Sequence, residues 1–245
     1  MPPANDYPTL YHAHHNRQLE DLPFWLHLAK QLGSPILELG CGTGRIFTPI
    51  HRAGYRITGI DHDPVMLAYL LQNWVAHEPP DLIQAEMTDF ALAPVFRLVI
   101  LPCNTYSTLQ AAQRQQTLKC VRRCLLAGGV FAISMPNPNI LKRLPTESTS
   151  EIEDIFAHPN DGEPVQVSSA WQRELLTFSL TWHYDHLLPD GHVERTTAHS
   201  RQFMEDLNNY MQEFHQAGFS DVKVFGNFDK TPYDDDSPGL IFTAR

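Results

Sequence analysis

The chain has 245 residues, and its 18 basic and 28 acidic side chains give a formal net charge of −10. This acidic balance provides no overall basic field, so we expect neither nucleic acid nor a membrane surface as a partner. No apolar run approaches the roughly 20 residues of a membrane span, and residues 1–16 lack the basic-then-apolar layout of a signal peptide. Four cysteines without a CxxC pair do not make a disulfide framework. We therefore expect a globular, cytoplasmic protein, either a monomer or a homodimer.

Residues 1–33 are predicted to form a polar arm that leads into a helix. Trp25, Leu28 and Leu32 recur at helical spacing, and Gly33 stands where a helix commonly ends. We treat this segment as separate from the domain that follows.

Strand-like and helical patterns alternate from residue 34 to residue 138. The strand-like segments are short apolar runs, the first beginning at Ile36, and most of them are followed by apolar residues at helical spacing. Such alternation is typical of a parallel sheet with helices on both faces. The sequence therefore predicts an α/β fold with a doubly wound sheet over residues 34–138 and 203–245. The last two apolar runs, near residues 222–225 and 240–243, could form a closing hairpin.

Residues 139–202 interrupt this rhythm. Between about residue 165 and residue 202 many apolar residues alternate with polar ones, and Pro189-Asp190-Gly191 marks a turn. This pattern is typical of an antiparallel β-meander with one solvent-exposed face. We interpret the meander as an insertion into the sheet domain.

A glycine-rich segment follows the first predicted strand, with the sequence Glu38-Leu39-Gly40-Cys41-Gly42-Thr43-Gly44. Glycines let the backbone turn sharply and let a ligand approach main-chain atoms. A dinucleotide fingerprint requires a glycine at position 45, where this chain has Arg45. The Gly-Lys-Ser/Thr ending of a nucleotide-phosphate loop is also absent. The spacing therefore disfavours both of those ligands.

Asp61 directly follows the second predicted strand. In an open parallel sheet this strand end lies beside the glycine-rich segment, at the crevice where ligands bind. A carboxylate there can accept hydrogen bonds from both hydroxyls of a ribose, although an aspartate after a strand can also be a simple helix cap. Asp63, just before Pro64, already supplies that cap, which leaves Asp61 available for a ligand.

These segments resemble the motifs of class I S-adenosylmethionine-dependent methyltransferases. The likeness extends over most of the chain and is similar in layout to bacterial small-molecule enzymes such as the glycine and amino-sugar N-methyltransferases. It implies a Rossmann-like, seven-stranded sheet whose last strand is antiparallel. The matching segments are Ile36 to Arg45, Ile57 to Asp61, Ala85 to Phe90 and Leu126 to Gly129.

The resemblance implies S-adenosyl-L-methionine as the cofactor, S-adenosyl-L-homocysteine as the product, and no metal. The glycines would frame the methionine part of the cofactor, Glu38 would orient their loop, and Asp61 would hold the ribose. His62 would lie beside the adenine, and Glu86 with Met87 would border its amino edge. The full set of expected cofactor contacts is Glu38, Gly40, Cys41, Gly42, Gly44, Asp61, His62, Glu86, Met87 and Leu101.

The acceptor, a small molecule, is expected above the end of the fourth strand. There Asn104 can accept a hydrogen bond from an amine or a hydroxyl, and Tyr106 can shape a wall. Their alternative reading is a turn residue and a core aromatic. We expect the arm and the meander to cover this pocket, with His186 or His183 as a candidate base. The substrate-side candidates are Tyr7, Tyr11, Trp182 and Tyr184.

Other chemistry-bearing residues have plainer interpretations. The histidines of the arm and of the meander are closely spaced, but close spacing alone does not indicate a metal site. Cys41 and Cys103 are expected to be small packing residues near the cofactor. Arg114, Lys119, Arg122 and Arg123 are interpreted as a solvated basic helix face.

The leading functional hypothesis is methylation of nitrogen or oxygen in a small molecule. One alternative is a non-catalytic, cofactor-binding or partner protein of the same fold. A nicotinamide-dependent oxidoreductase is less favoured, because Arg45 breaks the dinucleotide fingerprint.

Overall fold

The computed structural model describes residues 6–245, which form two compact units. The larger unit comprises residues 19–140 and 205–245, and the smaller one comprises the described part of residues 1–18 together with residues 141–204. The predicted domain limits, 1–33 for the arm and helix and 139–202 for the insertion, stay predictions. None of the helices in the described part of the chain is long and apolar enough to span a membrane.

The larger unit contains a seven-stranded sheet in the order β10-β11-β5-β4-β1-β2-β3. Strand β11 runs antiparallel to both of its neighbours, β10 and β5, and the other strand pairs of this sheet are parallel. The resemblance implied this arrangement. The strands are β1 (Ile36–Leu39), β2 (Ile57–Asp61), β3 (Asp81–Gln84), β4 (Phe96–Leu101), β5 (Leu125–Pro136), β10 (Val222–Phe225) and β11 (Gly239–Ala244). The helices are α2 (Leu22–Leu32), α3 (Phe47–Arg52), α4 (Pro64–Gln72), α5 (Ala111–Cys124) and α7 (Leu207–Gln216), and α6 (Pro138–Arg143) lies at the junction of the two units.

Successive side chains of the central strands enter two separate cores, one on each face of the sheet. Leu37, Leu39 and Val99 pack in one core, while Ile36 and Ile100 pack in the other. This alternation arises because neighbouring side chains of a strand point to opposite faces. Helices cover both faces, so the prediction of a doubly wound α/β sheet is confirmed.

A buried ion pair joins α5 to α7 in the first of these cores. The Arg114 guanidinium is fully buried and donates to Glu213 at 2.7 and 2.8 Å, and Tyr106 donates to the same carboxylate. The interpretation of Arg114 as part of a solvated basic face was therefore wrong. The grouping of Arg114 with Lys119 on one helix face was misleading, because the burial of Arg114 depends on Glu213, which lies 99 residues further along the chain.

The smaller unit contains a four-stranded antiparallel sheet in the order β6-β7-β8-β9. Its strands are β6 (Glu151–Ala157), β7 (Pro164–Arg173), β8 (Thr177–Leu187) and β9 (Val193–Phe203), and helix α1 (Tyr7–His15) belongs to the same unit. The predicted meander is present, with the additional strand β6 and helix α1. Leu10 of α1 packs in a core with Phe156, Val165 and Tyr184, which explains why the arm groups with this sheet.

We expect Glu213→Ala to lower the free energy of unfolding by about 3–5 kcal/mol, because it leaves the Arg114 charge buried without its main partner. Urea unfolding of the variant and the wild type measures this difference. Glu205→Ala is the matched control, since Glu205 is more exposed and lies 3.4 Å from the same guanidinium; its cost should stay below about 1 kcal/mol. Equal costs for the two variants would contradict the assignment of Glu213 as the main partner.

Candidate cofactor and active site

The glycine-rich segment follows β1 at the edge of the sheet where the parallel strands end. Gly40, Gly42 and Gly44 all have positive φ angles, of 66°, 50° and 86°, a region that residues with a Cβ rarely adopt. At Gly40 a Cβ would meet the Thr105 side chain at 3.3 Å, and at Gly44 it would meet Leu70 at 2.5 Å. The loop is therefore limited to glycine by its backbone at three positions and by close neighbours at two of them.

Asp61 ties this loop to the end of β2. Its Oδ2 accepts a hydrogen bond from the Gly42 amide at 2.7 Å, and its Oδ1 accepts from the Asp63 amide at 2.9 Å. Asp63 is the N-cap of α4, accepting from the Val65 amide at 2.8 Å, as predicted. An ionised carboxylate has about four acceptor positions, so Asp61 retains acceptor capacity beyond these two bonds.

Glu38 is the buried acid of the site. Its side chain is 2% exposed, and its Oε2 atom has no hydrogen-bond partner. Burial raises the pKa of this carboxyl well above its ordinary value of 4.5, and the Asp61 and Asp21 charges raise it further, against the opposing effect of Arg45. A buried polar atom without a partner is costly, and a cationic or hydrogen-bond-donating ligand would remove that cost.

The remaining expected cofactor contacts differ in exposure. Met87 is largely buried, and its Cε lies 3.5 Å from the position that a Gly40 Cβ would take. His62 is exposed, with its Nδ1 3.4 Å from Asp61 Oδ1, and Glu86 is exposed just after β3. Met87 thus lies near the glycine loop and His62 lies near Asp61, and their contact with an adenine stays a prediction.

Cys41 and Leu101 are both buried in the cores beside the loop. The Cys41 Sγ packs against Gly59 of β2, where an added Cβ would lie only 2.7 Å from it. Burial raises the pKa of the Cys41 thiol well above its ordinary value. Its side chain therefore acts as a small packing residue, as the sequence suggested.

Arg45 makes a contact that sequence analysis missed. Its guanidinium donates to both carboxylate oxygens of Asp21, at 2.6 and 2.7 Å, and to the Cys103 Sγ at 2.9 Å. Asp21 also accepts from the Trp25 indole at 3.0 Å. The residue that excludes a dinucleotide fingerprint therefore anchors the end of the glycine loop to Asp21, just before α2, and to Cys103, two residues after β4. No local sequence pattern indicates this pairing.

The segment after β4 has an unusual backbone. Cys103 and Asn104 have φ angles of 62° and 63°, and the left-handed region costs non-glycine residues energy and is often found at functional sites. A short 3₁₀ turn follows (Thr105–Thr108), in which the Asn104 carbonyl accepts from Ser107. The Asn104 side chain is exposed, which suits a residue expected to meet an acceptor.

Tyr106 has the surroundings of a core aromatic, the alternative that the sequence left open. It is fully buried, its hydroxyl donates to Glu213 at 3.2 Å, and burial raises its pKa well above the ordinary value. The Tyr106 hydroxyl is therefore already engaged in the buried ion pair between α5 and α7.

Three of the four substrate-side candidates, Tyr7, Trp182 and Tyr184, pack in one cluster of the smaller unit. The fourth, Tyr11, lies beside Tyr7 with its ring tilted. Tyr184 is fully buried and lies against Tyr7, while His14 Nδ1 is 3.1 Å from the Tyr184 hydroxyl. Trp182 packs at the edge of the same core, and Tyr11 lies 5.7 Å from Tyr7. Their expected contact with an acceptor stays a prediction.

The two candidate bases, His186 and His183, both lie on β8. His186 is buried and stacks on His158 with ring centroids 4.2 Å apart, and its Nε2 lies 3.2 Å from Asp161. His183 is paired with Thr197. A role of either histidine as an acceptor-side base also stays a prediction.

Comparison with known proteins agrees with this geometry. Residues 36–129, which run from β1 to the first part of β5, match a family model described as a methyltransferase domain. The chain shares its fold with a solved S-adenosylmethionine-dependent methyltransferase from Clostridium acetobutylicum, at a TM-score of 0.78 and 15% identity. The matched segment includes the glycine loop, Asp61 and the strand ends around them.

Several similar proteins align with more than half of the chain. A protein of Geobacillus sp. (strain WCH70) that bears a methyltransferase name is 24% identical over 88% of this chain and 86% of its own. An S-adenosyl-L-methionine-dependent Diels-Alderase of Talaromyces variabilis is 34% identical over 56% of this chain and 49% of its own. The structure of CalS10, an amino pentose methyltransferase from Micromonospora echinaspora with bound S-adenosylmethionine, has a TM-score of 0.71 at 17% identity and covers 96% of both chains.

We expect Glu38→Gln to stabilise the protein in the absence of ligand, increasingly so as the pH rises. Because the pKa of Glu38 is raised in the folded chain, its contribution to stability is fully present below its ordinary pKa of 4.5 and is lost as the pH rises toward the raised value. Urea unfolding at pH 5, 6, 7 and 8 measures the effect. Glu86→Gln, an exposed neighbour, should show no such pH-dependent difference, and parallel curves for Glu38→Gln and the wild type would contradict the expectation.

Proposed function

We propose that this protein is an S-adenosylmethionine-dependent methyltransferase that transfers a methyl group to nitrogen or oxygen of a small molecule. One observation carries the proposal. A buried carboxyl group with an unpaired oxygen, Glu38, stands two residues before a three-glycine loop whose Gly42 amide donates to Asp61. The matched methyltransferase domain supports it.

The residues of this chain fit the proposed cofactor by chemistry. The cofactor has a cationic amino group, for which the buried Glu38 oxygen is a suitable acceptor. It also has a ribose with two hydroxyls, for which the remaining acceptor positions of Asp61 are suitable. The glycine loop leaves its main chain open to a ligand, since no Cβ projects from three of its residues.

When bound, S-adenosylmethionine would supply a methyl group on a positively charged sulfur, activated for in-line displacement. The protein's main contribution would then be alignment of the acceptor, which is worth up to about 7–11 kcal/mol of the barrier in well-oriented reactions. Asn104, exposed after β4, is proposed to orient the acceptor by accepting a hydrogen bond from its amine or hydroxyl. A general base is required only for an acceptor that arrives protonated.

The acceptor class is inferred from composition and from similar proteins. The net charge of −10 disfavours nucleic acid as the acceptor. CalS10, which shares the fold, is named as an amino pentose methyltransferase. A small amine-bearing or hydroxylated molecule, such as an amino sugar, is therefore the acceptor class we propose to test first.

A second candidate retains the cofactor without methyl transfer. The relative from Talaromyces variabilis is named as an S-adenosyl-L-methionine-dependent Diels-Alderase, so a related chain is named for a different reaction that depends on the same cofactor. The two candidates differ in one measurable product, because only methyl transfer releases S-adenosylhomocysteine.

We expect S-adenosylmethionine to bind the wild type with micromolar affinity in a calorimetric titration and Asp61→Ala to weaken binding at least 10-fold. The variant removes both the proposed ribose acceptor and the hydrogen bond to Gly42. Asp63→Ala is the matched control: it removes a helix cap two residues away, at a cost of about 1 kcal/mol in stability, and should retain the affinity. Absence of binding to a folded, ligand-free wild type would reject the proposal, and binding of NADH instead, seen by its fluorescence, would favour an oxidoreductase.

We expect Asn104→Ala to lower kcat/KM for the acceptor about 10-fold or more while leaving the affinity for S-adenosylmethionine unchanged. The measurement is S-adenosylhomocysteine release with a panel of amino sugars and other amines. Thr108→Val, on the same turn, serves as the control. Cofactor binding without S-adenosylhomocysteine release from any acceptor would favour the second candidate.

A further inference from the structure

The smaller unit contains a compact group of metal-ligating side chains that the proposed function does not use. His158 follows β6, Asp161 lies in the β6–β7 turn, and His186 lies on β8. One ligand atom from each of the three residues lies within 4.8 Å of the other two. Both histidines are buried, at 4% and 7% exposure, whereas the Asp161 side chain is 43% exposed.

Asp6 fixes the orientation of His158 from the other side. The His158 Nε2 lies 2.6 Å from the Asp6 carboxylate, which can only accept, so Nε2 carries the proton. The Asn160 amide donates to His158 Nδ1 at 3.3 Å, so Nδ1 presents a lone pair. A carboxylate that holds the remote nitrogen of a ligating histidine is a recurrent feature of metal sites.

His158 Nδ1, which accepts from the Asn160 amide at 3.3 Å, also lies close to a carboxylate oxygen. Asp161 Oδ1 lies 3.4 Å from this nitrogen, and Asp161 Oδ2 lies 3.2 Å from His186 Nε2. The His186 ring can donate to Asp161, whereas His158 Nδ1 and Asp161 Oδ1 are both electron-rich and repel each other unless a cation lies between them. The cation could be a second proton on His158 or a metal ion.

The separations match those of a first-row metal site. Ligands that bind zinc at 2.0–2.2 Å with tetrahedral angles are about 3.4 Å apart. Measured to the same atom, Asp161 Oδ1, the distances from His158 Nδ1 and His186 Nε2 are 3.4 and 3.3 Å, which are of this size. Two histidines and one carboxylate form a ligand set suited to zinc, with a water completing the coordination.

We propose that His158, Asp161 and His186 form a binding site for a divalent ion of the zinc type, with Asp6 as the partner that orients His158. The site would join the β6–β7 turn to β8 and, through Asp6, to the start of α1. This proposal replaces the sequence expectation that no metal is bound, and it does not depend on the methyltransferase proposal.

Ion binding requires two changes in the site, because His158 Nδ1 must give up its hydrogen bond from the Asn160 amide and a ring must turn. The two imidazole rings are stacked with an angle of 14° between their planes, and an imidazole binds a metal along its own plane. One ring must therefore turn about its Cβ–Cγ bond when the ion enters. The exposed carboxylate of Asp161 provides the side from which an ion can reach the two nitrogens.

The test uses the full-length, untagged protein, freed of metal by chelation, and titrates it with Co²⁺ followed by Zn²⁺. We expect one equivalent of Co²⁺ to bind with visible d–d absorption and to be displaced by Zn²⁺. Asp161→Asn and His186→Gln should each lose this binding. Asp6→Asn should weaken it by about 10- to 100-fold, the effect found for partners that orient ligating histidines.

His192→Gln is the matched control, because His192 is an exposed histidine of the same unit that pairs with Asp190 at 2.8 Å. It should bind like the wild type, and circular dichroism should show that all variants are folded. The exposed position of Asp161 makes Asp161→Asn the decisive variant. No binding by the wild type, or binding that survives both Asp161→Asn and His186→Gln, would overturn the proposal and assign the bridging cation as a proton.

Discussion

The hydrogen bond from the Gly42 amide to Asp61 is the interaction on which the candidate site depends. It links the loop after β1 to the end of β2 over 2.7 Å, and its acceptor is nearly buried, so water competes weakly for it. Because β1 and β2 are paired in register from Ile36 with Ile57 to Leu39 with Ile60, the two strand ends are already aligned when this bond forms. The positive-φ conformation of the glycine loop is thus held by the paired strands of the sheet as well as by the loop itself.

A second constraint acts from the opposite side of the loop. The Arg45–Asp21 pair has bidentate geometry, which is stronger and more directional than a single contact, and it is largely shielded from solvent. Glu38 lies between these two supports with an unsatisfied oxygen. The folded chain therefore keeps a destabilising group in place at the position where a ligand is proposed to bind, as is common for sites organised before their ligand arrives.

The sequence was sufficient for features that are local or periodic. The alternation of strands and helices predicted the doubly wound sheet, and the glycine spacing with Asp61 predicted the loop and its neighbour. Long-range side-chain pairing was not predictable: Arg114 looked like a surface residue because its partner, Glu213, lies on a distant helix. Strand β6 was missed because Glu151, Glu153 and Asp154 make it polar, and the grouping of His158 with His186 depends on a strand pairing that no spacing reveals.

The crowding of the glycine loop also bears on how such a chain can diverge. The loop and its supports involve neighbours on several elements, including Thr105, Met87, Leu70 and Asp21, so almost any substitution there disturbs more than one contact. Asn104, in contrast, is exposed and its side chain makes no helix-capping hydrogen bond. Mutational tolerance is therefore uneven: replacing the exposed Asn104 side chain disturbs fewer neighbours than a substitution in residues 40–44, although its φ of 63° restricts which residue types fit there. Descendants of this chain would be expected to change the molecules they act on long before they change the loop.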